Sequence, residues 1–225
     1  MKLNRVFFLF LSVSLCFSSV VVASVAKPDA VYDKNKAKLL SYVLGQQLQK
    51  NHFSHKAMDD VLSAEAFTLY LKQVDARKQF FLQKDIDELQ PFSTKLDDEM
   101  REGQIIFPLV AEELLRARVL TVQKFMDEFA MKDFDLNTKE FIESDNKKLA
   151  YCQTDAELHE RWQKTIQYQI VSQYLNRDAI NEAKKGIDTG KEKDAPPKSE
   201  NDLLKEAKEK VLKTNRELLE RMMKR

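Results

Sequence analysis

An all-α fold is what this sequence predicts, and three observations predict it. The chain of 225 residues holds only 4 Gly and 5 Pro, whereas hairpins, sandwiches and phosphate-binding loops draw on glycine for backbone with φ > 0. Apolar residues return every three or four positions through most of the length, the spacing of one helix face. With 43% hydrophobic residues, 14 Phe and a single Trp, the chain can build a core of Phe and Leu between helices, which argues against global disorder. The length suits one helical domain or two small ones. A net charge of +1, from 37 basic and 36 acidic residues, supplies no general attraction for nucleic acid.

Residues 1–26 read as a signal peptide. Lys2 and Arg5 form a positive start, Val6 to Val22 an apolar run, and Ser24-Val25-Ala26 a small-x-small site before Lys27-Pro28. Cleavage is expected after Ala26, with the mature protein outside the cytoplasm. The alternative is an uncleaved anchor in the inner membrane, because the apolar run nears the ~18 residues that span a bilayer. Cys16 follows Leu15, where a lipoprotein box needs a small residue, so lipidation is not expected. Losing two of the 37 basic residues against 36 acidic ones turns the net charge to −1. Cys152 then remains as the only thiol, and the mature chain makes no internal disulfide.

Residues 27–185 read as a helical domain. A polar-rich helix from Ala30 to about Lys50 carries Leu39, Leu40, Val43, Leu44 and Leu48 on one side. After a turn at His52 to His55, a short helix is expected near Lys56 to Leu62. Ser63 then caps a second, with Phe67, Tyr70, Leu71 and Val74 at helical intervals. Phe80, Phe81 and Leu82 form an apolar knot. A helix from about Lys84 to Glu102 follows, interrupted at Pro91 and ended by Gly103. Phe107, Val110, Leu114, Val122, Phe125, Met126 and Phe129 trace a long helix reaching about Ala130, with Glu112, Glu113, Arg116 and Arg118 largely solvated.

Met131 to Tyr151 reads as a loop with one turn of helix. Thr154-Asp155-Ala156-Glu157 is a capping box, and the helix it opens bears Leu158, Trp162, Ile166 and Ile170 and reaches about Lys185. Gly186 to Asn201, with Gly190, Pro196 and Pro197, reads as an exposed linker. Asp202 to Arg225 forms an amphipathic helix through Leu204, Ala207, Val211, Leu218 and Met222. That helix is expected to lead toward a further C-terminal part and to be loosely held without it.

Candidate chemistry is scarce. His52 and His55 lie three apart, near enough to share a metal on one helical turn, with His159 or carboxylates as further ligands. No Cys or further His completes that set, so surface or cap-forming histidines are expected, with no metal and no cofactor. Asp59-Asp60 and Asp97-Asp98 are paired carboxylates, but neighbours on a helix point apart, and solvated or capping roles are expected instead of acid/base work. Cys152 has no His beside it in sequence and reads as an idle or buried thiol. Phe53, Phe67, Tyr70, Phe80 and Phe81 read as core and not as a base-stacking platform. No serine sits in a Gly-x-Ser-x-Gly elbow and no Gly-rich loop precedes Lys-Ser or Lys-Thr. No catalytic residue is assigned.

The run His52-Phe53-Ser54-His55-Lys56-Ala57-Met58-Asp59-Asp60-Val61-Leu62-Ser63 is followed by Tyr70-Leu71, Val74-Asp75 and Phe80-Phe81-Leu82-Gln83-Lys84-Asp85-Ile86. With Leu96-Asp97-Asp98, Gly103, Glu157-Leu158 and Trp162 in the same order, residues 37 to 185 resemble the N-terminal region of tail-specific proteases, or carboxy-terminal processing peptidases. Met58 and Val74 stand where that family usually has Leu, and Pro91 falls in a helix where it seldom has one. The resemblance implies a helical domain ahead of a PDZ domain inserted in a Ser/Lys-dyad peptidase domain. It also implies a periplasmic enzyme that degrades proteins from their C-terminal ends, with helical regions that hold its shape and dock a lipoprotein adaptor. The nucleophilic Ser and base Lys have no counterparts in this chain, which is expected to be inactive alone.

Three functions follow as expectations. The first is a non-catalytic domain of such a protease, with the PDZ and peptidase domains, an adaptor and protein substrates as partners. The second is a stand-alone periplasmic adaptor or chaperone-like binding protein. The third is an enzyme that uses His52, His55 and the acidic pairs.

Overall fold

A computed structural model of the chain describes residues 34–51, 57–104, 106–133, 139–185 and 199–224. All of them fall in the unit that spans Lys34–Arg225. The expected signal peptide, the His52 to Lys56 part of the family motif and linker residues 186–198 lie outside the described residues. Seven α-helices and one short 3-10 segment make up the rest, and the described residues contain no strand beyond a single parallel bridge between Leu82 and Cys152. Among them no helix is long and apolar enough to cross a membrane.

Helix α1 spans Lys34–Asn51 and lies along α4 (Leu96–Glu102). Helix α2 runs unbroken over Asp60–Val74, in place of the short helix and second cap that the sequence suggested. Asp59 decides this. Its extended backbone places the carboxylate to accept the Leu62 N–H at 3.0 Å, an N-cap bond that satisfies a donor the helix cannot. Ser63 then falls one turn inside the helix, buried, where its hydroxyl donates to Asp97 Oδ1 at 2.6 Å and accepts the Asp97 N–H at 2.9 Å.

Pro91 acts as expected. Helix α3 (Gln83–Leu89) tightens into 3-10 geometry over Gln90–Phe92, and the chain turns before α4 begins, because proline offers no N–H and crowds the preceding turn. Gly103 ends α4 at φ 67°, a left-handed cap that an L side chain resists. A Cβ there would lie 2.4 Å from Lys38 Cγ, so the same position also permits the close approach of α1. Gly103→Ala is therefore expected to cost about 1–2 kcal/mol from the backbone alone and to loosen α1 further. Thermal denaturation and amide exchange along α1 measure the two parts.

Helix α5 (Phe107–Met131) carries Pro in its first turn, where the missing N–H costs nothing. The buried Glu99 carboxylate accepts the Ile106 N–H at 2.9 Å and the Phe107 N–H at 3.1 Å, so a side chain from the preceding helix caps this one. Phe107, Val122, Phe125, Met126 and Phe129 are buried as the periodicity indicated, and Ala111 and Val119 join them. Arg118 departs from expectation: its side chain is only 12% exposed and is held by two aspartates.

Helix α6 (Asp155–Lys185) starts at Thr154, whose hydroxyl accepts the Glu157 N–H at 3.2 Å, while Glu157 accepts the N–H of Gln153, one residue earlier than a standard capping box. Leu158, Trp162, Ile166 and Ile170 are buried. Helix α7 spans Glu200–Met223 and is capped by Ser199, which accepts the Asp202 N–H at 3.2 Å. It thus takes the last two residues assigned to the linker. The expected looseness of this helix is overturned. Leu203, Ala207, Val211, Leu212 and Leu219 are buried, and α7 packs on both α5 and α6. The inward stripe is turned by one residue from the one read in the sequence, with Leu204 and Met222 at its margin.

Two apolar clusters result. One gathers Phe67, Leu71, Phe81, Ile86, Leu89, Phe107 and Ala111; the other gathers Phe80, Leu82, Val119 to Phe129, Leu158 to Ile170 and the inner face of α7. Consecutive side chains of the extended segment 80–82 point opposite ways, which sends Phe81 into the first cluster and Phe80 and Leu82 into the second.

Candidate functional site

Asp75, Asp85 and Asp97 of the motif face inward, and each is committed to a backbone N–H, a hydroxyl or an ion pair. Asp75, at the end of α2, accepts N–H groups from Gln79 at 2.8 Å, Phe80 at 3.1 Å and Phe81 at 2.9 Å. Burial lifts its carboxyl above the ordinary value, while those three donors and Arg161 pull it back down. The same carboxylate fixes the turn that delivers the Phe80-Phe81-Leu82 knot, so its role is local architecture.

Asp85 accepts the Leu82 N–H at 2.8 Å and pairs with Arg118 through two bonds of 2.6 and 2.8 Å. Arg118 also reaches Asp155 at 2.8 Å, in the first turn of α6. The double bond to Asp85 raises the basicity of the guanidinium, and bidentate geometry makes this the strong kind of pair. Asp97 is bound to Ser63 and Arg101, and Asp98 pairs with Arg101 at 2.7 Å at the surface. Of the two acidic pairs, Asp59 is the expected cap, Asp60 lies in the first turn of α2, and Asp98 is exposed. Asp97 is buried, which the expectation of a solvated side chain did not foresee.

His159 bonds to Glu128 at 3.0 Å and sits against the rings of Phe125 and Phe129. His52 and His55 lie outside the described residues, and among the described residues no three His, Cys, Asp or Glu side chains gather as metal ligands would.

An open cleft of about 280 Å³ lies beside the Leu82–Cys152 bridge, bounded by Arg77, Phe141, Glu143, Glu160, Arg161 and Lys164. Two of its cations have partners. Lys164 pairs with Glu160 at 2.6 Å, and Arg161 donates to the Lys78 carbonyl. Cys152 is buried at its wall, and burial pushes the thiol up, away from the thiolate that a nucleophile needs. A thiol reagent such as DTNB is expected to modify Cys152 slowly in the folded mature chain and rapidly in denaturant. Rapid modification of the native protein would assign it a reactive role.

Residues 44–224 match the family model described as the tail specific protease N-terminal domain. The chain belongs to this family. It is also 27% identical over 179 residues to the tail-specific protease of Haemophilus influenzae, an alignment that covers 76% of this chain and 26% of that protein. The chain therefore spans about a quarter of that relative's length.

In this tail-specific protease N-terminal domain, the acidic motif residues cap and clamp helices. Sequence reasoning missed Glu99 and Arg118, whose partners lie on other elements. An acidic residue shortly before a helix that starts with Pro was the one local signal for Glu99. Nothing local marked Arg118.

Proposed function

We propose that the chain is the non-catalytic N-terminal domain of a periplasmic tail-specific serine protease, exported on its first 26 residues. It holds the enzyme's architecture and docks a lipoprotein adaptor or a protein substrate. Its partners within the enzyme are a PDZ domain and a Ser/Lys-dyad peptidase domain. The family match over residues 44–224, in a chain that spans 26% of the relative's length, is the observation that carries this reading. The commitment of Asp75, Asp85, Asp97 and Glu99 to caps and clamps supports a structural role.

The reading frame beyond Arg225 tests it. An in-frame continuation into a PDZ and Ser/Lys peptidase segment is expected, and purified residues 27–225 should release no peptide from an unfolded protein substrate above a blank. A stop codon at that point would favour the stand-alone adaptor, and proteolysis by the purified chain would mean an unassigned active site.

A further inference from the structure

In a chain where 32% of residues are charged, Thr165 to Asn176 on α6 holds twelve residues and no charge. The inner side of this stretch, at Ile166 and Ile170, is core. Its outer side borders an open groove of about 500 Å³ against α7. Four side-chain amides line that groove, those of Gln169, Gln173, Asn176 and Asn215, and the hydroxyls of Ser172 and Thr214 join them. Asn215 is only 6% exposed, and its Nδ2 donates to Gln169 Oε1 at 2.7 Å and to the Val211 carbonyl at 2.9 Å. Its Oδ1 accepts from no donor among the described residues and is not sealed in, so it opens on the groove that Asn215 lines. Both N–H groups of Gln169 are likewise unspent among the described residues. So are the side chains of Gln173, Asn176, Ser172 and Thr214.

A side-chain amide carries one acceptor oxygen and one NH₂ donor, the complement of a peptide group. A row of such amides can therefore meet an extended main chain whatever side chains it bears. Charge sets which chain fits best. Lys210 and Arg221 border the groove, and among the described residues no carboxylate does; Glu217, one turn before Arg221, lies outside the lining. Arg221 spends only Nε, on the Glu217 carbonyl, and Lys210 has no partner among the described residues. Eleven helical positions separate the two cations by about 16 Å, the span of about five extended residues. Resting on the function proposed above and deepening it, we propose that the α6–α7 groove binds an extended, unfolded segment of the protease's polypeptide substrate through its main chain. Segments with acidic side chains about five positions apart are favoured, because they meet two cations with no competing carboxylate.

The probe is fluorescein-labelled Asp-Ser-Ala-Ser-Ala-Asp with both ends blocked, titrated with the chain after removal of its signal peptide and followed by anisotropy. Saturable binding is expected, about tenfold weaker when Lys replaces both Asp and about tenfold weaker when the inner amides are N-methylated. Absence of saturation, or no change in either comparison, would overturn the proposal. This peptide series uses the unsubstituted protein, so it decides the matter even where a variant misfolds. Lys210→Glu with Arg221→Glu should reverse the preference toward the Lys-ended peptide, and Gln173→Ala with Asn176→Ala should weaken binding of both peptides while the helical circular dichroism is kept. Unaltered affinities in these folded variants would also overturn it. A peptide-free dimer that the double Glu variant dissociates would put a second copy in the groove, and tighter binding of oligogalacturonate than of the peptide would make it a sugar site; either result overturns the proposal. A full-length enzyme that degrades unfolded protein while the groove ignores these peptides would defeat this inference alone, whereas a full-length chain without proteolysis would count against the function itself.

Discussion

Ending the chain at residue 198 is expected to abolish cooperative folding of residues 34–185. Helix α7 contributes Ala207, Val211, Leu212 and Leu219 to the larger cluster, the last of them fully buried, and buries Leu203 besides. Burial of each large side chain is worth about 1.5–3 kcal/mol. Four such side chains already rival the roughly 5–15 kcal/mol that separates a folded domain from its unfolded chain. Truncation also bares the opposing faces of α5 and α6 around Val122, Ile166 and Ile170. A milder version is Leu219→Ala, expected to lower stability by about 2–5 kcal/mol, and Val211→Asp should cost at least as much because it leaves a carboxylate without a partner in an apolar site. Chemical denaturation followed by circular dichroism gives the midpoints. A change below about 1 kcal/mol for Leu219→Ala would mean that α7 is not part of the core.

Asp75→Ala is expected to be the most damaging single polar substitution, at about 3 kcal/mol or more. Three backbone N–H groups point at that carboxylate, and a buried donor left without an acceptor costs about 1–3 kcal/mol. Water admitted into the gap offsets part of the sum. The loss should appear mainly as faster amide exchange at Gln79, Phe80 and Phe81, because the turn that aims Phe80 and Phe81 into different clusters loses the carboxylate that accepts these three N–H groups. Asp75→Asn retains one carbonyl acceptor and should fall between Ala and the native residue. If both variants keep native exchange at those three amides, the carboxylate does not hold the turn.

The helices were readable in the sequence where periodicity and punctuation agreed. Gly103 and Pro91 mark real breaks, Thr154 opens α6, and the α5 stripe from Phe107 to Phe129 is the buried one. Failures came where a distant partner set the outcome. Ser63 looks like a cap in isolation, yet the carboxylate of Asp97, 34 positions away, draws it inward. Arg118 follows Glu112, Glu113 and Arg116 on α5 and reads as solvated with them, yet two aspartates on other helices hold it in a largely buried position. Helix α7 reads as a loosely attached end because a polar stretch precedes it, although flexible tethers permit back-folding as readily as release. The family motif was legible as order and spacing, while the purpose of its acidic residues became clear only from the N–H groups they face.

Helix α5 threads both apolar clusters, with Phe107 and Ala111 in one and Val119 through Phe129 in the other. Neither cluster can melt without exposing part of the same 25-residue rod, so the two behave as one cooperative foldon. Its central amides should open only by global unfolding, and a protease attacking this domain would find its middle as costly to reach as the whole.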